Sequence, residues 1–240
     1  GAAPNHFSSE PAVISSEPAI PTTGSGFAPH LRVPFSLNRA PVPDSVSGPG
    51  HYQVMDYGPV ISETVRKQWP ENSLVRKGLV IRLDHDMAMI FDRDLVQMSA
   101  GTAGGWVDIT KTDYTSYKGS NVASVEGRQV FESTDAAGWA RNGNFFGPRE
   151  DGLGPLPKDW VHYRGFYRYG DRVVLSYRVG ETEVLELPEA IRAGSVTAFG
   201  RNLHVEPSDR QMHALLLEKR EGWSTHKTSD DAVIIETDST

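Results

Sequence analysis

From residue 77 onward the apolar positions of this chain fall in short runs at strand spacing, separated by turn residues. Gly78-Leu79-Val80-Ile81-Arg82-Leu83 is β-branched and apolar, Asp84-His85-Asp86 is a turn, and Met87–Phe91 returns, which predicts a hairpin. Leu95–Met98 is a further short run. A glycine-rich turn over 101–105 leads into Trp106-Val107-Asp108-Ile109, and Gln129–Glu132 is another strand candidate. The clearest pattern lies between Val161 and Leu187. Tyr163, Phe166, Tyr167 and Tyr169 run up to Gly170-Asp171, Arg172–Val179 runs back, and Thr182–Leu187 alternates polar and apolar after Gly180-Glu181. That is a three-stranded meander. Ser195–Phe199, Leu203–Val205, Met212–Leu217 and Ala232–Glu236 continue the series, while long helical periodicity is missing. One short helix is predicted, over Ser62–Trp69, with Ser62 as cap and Pro70 as stop. The fold expected is mainly β: an antiparallel β-sandwich or barrel preceded by a proline-rich extended arm.

The arm stands apart by composition. Residues 1–50 hold nine of the 16 prolines and a near-repeat, Ser8-Ser9-Glu10-Pro11-Ala12-Val13-Ile14 followed by Ser15-Ser16-Glu17-Pro18-Ala19-Ile20. Proline at this density removes backbone donors and blocks helices and central strands. The division expected is therefore an arm or linker over 1–50, with little regular structure and with Val13, Ile14, Ile20, Phe27 and Phe35 as anchors on another surface. A β-rich domain follows over 51–240, cut or continuing at its C-terminus. A chain that begins with Gly1 reads as a processed or trimmed product.

A net charge of −7 disfavours nucleic acid or an anionic membrane as the main partner, because both repel an acidic surface. No apolar run approaches the roughly 20 residues of a spanning helix. The absence of cysteine excludes disulfides, thiolate metal sites, a Cys nucleophile and covalent c-type haem in this chain. There is no G-x-S-x-G elbow, Walker A loop or G-x-G-x-x-G, so no catalytic residue is named. Asp84, Asp86, Asp92 and Asp94 surround one hairpin and are the candidate ligands for calcium, a hard cation that takes several oxygens from one loop. Acidic turns also arise for turn reasons alone. The aromatic residues suggest a sugar site. Trp106, Trp139, Trp160 and Tyr163 would stack on the C–H face of a pyranose, and Asp108 and Arg164 would hydrogen-bond its hydroxyls. The competing reading of these rings is core packing.

Several stretches taken together resemble a known family. They are His51–Pro59, Lys77–Leu83, Phe91-Asp92-Arg93-Asp94-Leu95, Ala100-Gly101 with Gly104-Gly105-Trp106, Gly154-Pro155-Leu156-Pro157-Lys158-Asp159-Trp160-Val161-His162-Tyr163-Arg164-Gly165, and Arg172–Glu186. Over about 51–240 the chain resembles an uncharacterised domain of large secreted, haem-binding proteins of the planctomycete type, which precedes a sugar-dehydrogenase-like propeller and a cytochrome c domain. The resemblance implies a periplasmic or secreted location and haem only in other domains of the parent protein. The function expected is a non-catalytic β module that positions such a redox protein on a carbohydrate or an assembly partner. The alternatives are a glycan-acting enzyme domain with acids near Asp92, Asp94 or Glu132, and a structural subunit of a complex anchored by its proline-rich arm.

Overall fold

The computed structural model describes residues 11–16, 56–70, 73–109, 122–150, 153–193, 196–218, 220–229 and 232–236. Among them every regular element is a strand. These are β1 (Pro11–Ser16), β2 (Val60–Arg66), β3 (Leu74–Leu83), β4 (Met87–Asp92), β5 (Gln97–Ala103), β6 (Val107–Asp108), β7 (Ala123–Val125) and β8 (Arg128–Glu132), then β9 (Val161–Tyr169), β10 (Arg172–Val179), β11 (Thr182–Ala193), β12 (Val196–Val205), β13 (Met212–Glu218), β14 (Ser224–Ser229) and β15 (Ala232–Glu236). A seven-stranded sheet runs in the order β6-β7-β2-β3-β4-β5-β8, and a four-stranded sheet in the order β12-β11-β10-β9. Two pairs stand outside them, β1-β13 and β14-β15. All pairings are antiparallel except β2 with β7.

The main core lies between the two large sheets. Leu79, Ile81, Met89, Phe91 and Met98 come from one sheet, and Val161, Val173, Leu175, Tyr177 and Val184 from the other. The opposite face of the larger sheet carries a second cluster of Val65, Val75, Val80, Ala88, Ile90, Ala100, Ala123 and Val125, with Trp106 and Val107 packed on it. Successive side chains in a strand point to opposite faces. A strand between two cores therefore reads as an unbroken apolar run, which is the case for β4, buried at every residue.

The turns follow from their residues. Met87 N–H donates to Asp84 C=O (3.3 Å), and His85 and Asp86 both have positive φ, 61° and 53°. That is the type I′ geometry whose twist suits a hairpin. The predicted turns at Gly170-Asp171 and Gly180-Glu181 close β9-β10 and β10-β11.

One expectation is corrected, and the arm contributes one strand. The segment 62–69 forms no helix, because most of it lies in β2, paired with β3 from Val60↔Ile81 to Arg66↔Leu74, with Val65 fully buried. Eight residues are too few for a helix to persist alone, and the adjacent edge of β3 offers partners to the same backbone groups. In the arm, Pro11–Ser16 forms β1 against β13, from Pro11↔Glu218 to Ser16↔Met212, with a bulge at Ala12/Val13. Proline at the first position of an edge strand is compatible with pairing. The rest of 1–50, and the side chains expected to anchor it, lie outside the described residues.

Candidate functional site

The predicted sugar site is not assembled. Trp139 and Trp160 are core residues, 4% and 6% exposed, within the main cluster. Their indole N–H groups are used internally. Trp160 Nε1 donates to Trp139 C=O (2.9 Å), and Trp139 Nε1 lies 3.4 Å from the Tyr177 hydroxyl. Trp106 is half-buried on the other face of the larger sheet, under the Arg82 guanidinium at 5.5 Å. Asp108 lies two residues on, in β6, an edge strand of the larger sheet. Arg164 lies at the β-bulge of β9 and pairs on the surface with Glu183 (2.5 Å). Sequence spacing cannot distinguish a ring facing the gap between sheets from one facing solvent.

The four aspartates are not brought together either. Asp84 and Asp86 are exposed in the hairpin turn, and Asp92 and Asp94 lie at the other end of β4. Six strand residues separate the ends by about 20 Å. No group of three or more His, Asp or Glu suited to a metal occurs among the described residues. Asp92 instead organises the β4-β5 turn, where its Oδ1 accepts the backbone N–H groups of Asp94 (2.8 Å) and Leu95 (3.2 Å). Burial pushes the Asp92 carboxyl above the ordinary aspartate value, and those two N–H donors offset part of the rise.

That turn forms one wall of a different feature, an open cleft of about 270 Å³. It is lined by Lys77 of β3, Arg93 and Asp94 of the turn, Pro155, Leu156 and Lys158 of the loop before β9, and Val161, His162 and Tyr163 of β9. The loop is pinned to the turn, since Leu156 N–H donates to Asp94 C=O (3.0 Å). A Cβ on Gly154 would lie 2.5 Å from Asp94 Cβ and 2.7 Å from Asp94 O, so only glycine allows this approach. Trp160 and Val161 N–H groups then close on Pro157 C=O (2.9 and 3.1 Å), which leads the chain into β9.

The cleft is basic on an acidic chain, with three cationic side chains facing one carboxylate. Lys77 Nζ pairs with Asp94 Oδ1 at 3.3 Å. Arg93 donates through Nε to Lys77 C=O (3.0 Å), which fixes the guanidinium and leaves its terminal nitrogens without a hydrogen bond among the described residues. The Tyr163 ring rests near Phe91, centroids 5.9 Å apart. Desolvation raises the Tyr163 hydroxyl to about 12, against a smaller opposing effect of the Arg93 charge. At neutral pH that hydroxyl keeps its proton and is available as a donor.

Of the residues singled out from sequence, Tyr163 and Asp94 belong to this cleft. Lys77, Arg93, Lys158 and His162 were not selected, because the cations are scattered over eighty residues and form no run. A usable signal was present nonetheless. Three stretches that carry the family resemblance, Lys77–Leu83, Phe91–Leu95 and Gly154–Gly165, contribute every residue of the cleft lining.

Comparison with known proteins gives one match. Residues 89–186 match a family profile described as a domain of unknown function (DUF6797). That segment contains the whole cleft lining except Lys77. No curated protein and no solved structure matches the chain.

Proposed function

We propose that this domain is a non-catalytic recognition module of a periplasmic or secreted redox protein that carries its cytochrome elsewhere, and that it positions that protein on a carbohydrate or an assembly partner. The supporting observation is the cleft, where an aromatic ring, an apolar floor of Leu156 and Val161, and several donors converge from three separated stretches. Of the acids named for the enzyme alternative, Asp94 lines the cleft and pairs with Lys77, and the other two make structural contacts. Asp92 holds a turn, while Glu132 accepts from buried Lys67 (3.4 Å) and from Arg220 (3.4 Å). The assembly-partner reading draws on the tip of β9-β10, where Phe166, Tyr167 and Tyr169 are exposed on an edge strand.

The test is an NMR titration of the 240-residue chain with an oligosaccharide panel, repeated with Tyr163→Ala. The reading expects shifts clustered on Arg93, Asp94 and residues 156–163, with binding weakened about tenfold or more in the variant, since a ring stacked on a ligand contributes on the order of 1–2 kcal/mol. A panel that shifts no cleft resonance would reject the carbohydrate reading. For the redox context, haem absorption is expected in the parent polypeptide and not in residues 1–240.

A further inference from the structure

Building on the recognition reading above, we infer that the ligand of the cleft is an acidic saccharide, a sugar unit bearing an oxyanion such as a carboxylate or sulfate, seated on Arg93 and Lys158. The inference rests on where charge is and is not compensated. Lys77 is paired with Asp94. The Arg93 guanidinium is held at Nε only, and the Lys158 ammonium makes no ion pair among the described residues. Both cations line the cleft, one from the β4-β5 turn and the other from the loop before β9. A guanidinium fixed by one nitrogen presents its remaining N–H groups in a fork that matches a planar carboxylate or a sulfate face. His162 adds a ring with no hydrogen bond among the described residues, and Tyr163 adds a protonated hydroxyl beside a stacking surface.

The rest of the molecule narrows the class. The net charge of −7 makes a densely charged polymer such as nucleic acid a poor ligand, because most of it would lie against an acidic surface. An isolated anionic group on a neutral ring meets the local field, in which three cations outnumber the Asp94 carboxylate. The apolar floor of Leu156 and Val161 and the Tyr163 ring then contact the C–H face of the sugar. A cleft of about 270 Å³ is on the scale of one sugar unit, below the range of drug-sized pockets.

The experiment compares trigalacturonate with its fully methyl-esterified form, which has the same rings without the charge, by calorimetry and NMR on the 240-residue chain. A sulfated galactose, sodium acetate and sodium sulfate form the remaining arms. The acid is expected to bind at the cleft at least tenfold more tightly than the ester, and to weaken several-fold between low and moderate salt. Lys158→Glu is expected to lose at least tenfold for the acid and to weaken the ester by a much smaller factor, so that the preference for the acid is lost. This exposed residue can be altered without disturbing the fold, which thermal unfolding of the variant checks. Tighter binding of the sulfated sugar than of the acid would still support the inference and would identify sulfate as the favoured oxyanion. Equal binding of acid and ester at the cleft overturns the inference and leaves the recognition reading standing. Acetate or sulfate binding as tightly as the sugars overturns its saccharide part. If no charged sugar shifts a cleft resonance, the inference falls, while the carbohydrate reading is decided by the oligosaccharide panel.

Discussion

At the scale of single residues, the buried polar groups show what this core demands. Glu186 is fully buried and accepts from the Tyr177 hydroxyl (2.7 Å) and from Arg201 Nε (2.6 Å). Arg201 Nη1 in turn donates to the carbonyls of Leu215 and Leu216, each at 3.2 Å. Burial, together with the Glu186 charge, holds the Tyr177 hydroxyl well above its ordinary range, so it stays a donor. For Arg201, burial opposes the charge and the Glu186 carboxylate outweighs it. Removing one member strands the other: Arg201→Ala is expected to cost about 3–5 kcal/mol in urea unfolding, and Tyr177→Phe about 1.5–3 kcal/mol. Asp92 gives a pH signature. Its proton is bound more tightly in the fold than in the unfolded chain, so the unfolded chain ionises first as pH rises. Stability therefore falls from the ordinary value of 3.8 up through the raised folded value. Asp92→Asn keeps the Oδ1 acceptor and removes the charge. Its stability relative to wild type should increase between pH 4 and pH 7, and an equal difference at both would contradict the assignment.

At the scale of elements, close approach and strand edges decide most. Gly138 N–H donates to Leu95 C=O (2.9 Å) and its carbonyl accepts from Leu215 N–H (2.8 Å), which ties the loop after β8 to both the β4-β5 turn and β13. A Cβ there would overlap the Val96 carbonyl, a backbone group that cannot rotate away. Gly138→Ala is expected to destabilise by about 1–3 kcal/mol or more, read as a lowered midpoint in thermal unfolding. The edge of β13 is the second case. It pairs with β1 on one side, and Trp139 forms a bridge to Ala214. Deleting residues 1–16 would leave backbone groups of Met212–Glu218 unpaired, and an open apolar edge recruits other chains. The truncated protein is expected to self-associate in light scattering, with faster amide exchange in β13. A monomer with unchanged β13 protection would show that β1 is dispensable.

At the scale of the whole molecule, stability and recognition are carried by different residues. The two indoles expected to bind sugar sit between the sheets with Leu175 and Tyr177. Trp160→Ala is therefore expected to cost about 3–5 kcal/mol of stability, whereas Tyr163→Ala removes a half-buried ring at the cleft and acts mainly on binding. Unfolding and titration measured on both variants separate the two roles. An unfolding midpoint unchanged in Trp160→Ala would contradict the core assignment.

The sequence alone determined the local geometry: the β class, the hairpin at Asp84–Asp86 and the meander over 161–187. Each of these is written in a repeat of two residues or in turn residues that need positive φ, and such signals act over a few neighbours. The strand at 60–66 escaped that reading, because its pairing with β3 is settled by a partner beyond its own neighbours. The site escaped for the same reason on a larger scale. Lys77, Arg93 and the stretch from Lys158 to Tyr163 are separated along the chain and share no period. Only the packing of two sheets, and a glycine small enough to let residue 154 touch Asp94, brings them to one cleft. Whether an aromatic side chain becomes core or contact surface was likewise decided by the sheet it faces, since an indole looks the same to its neighbours in sequence on either side of a strand.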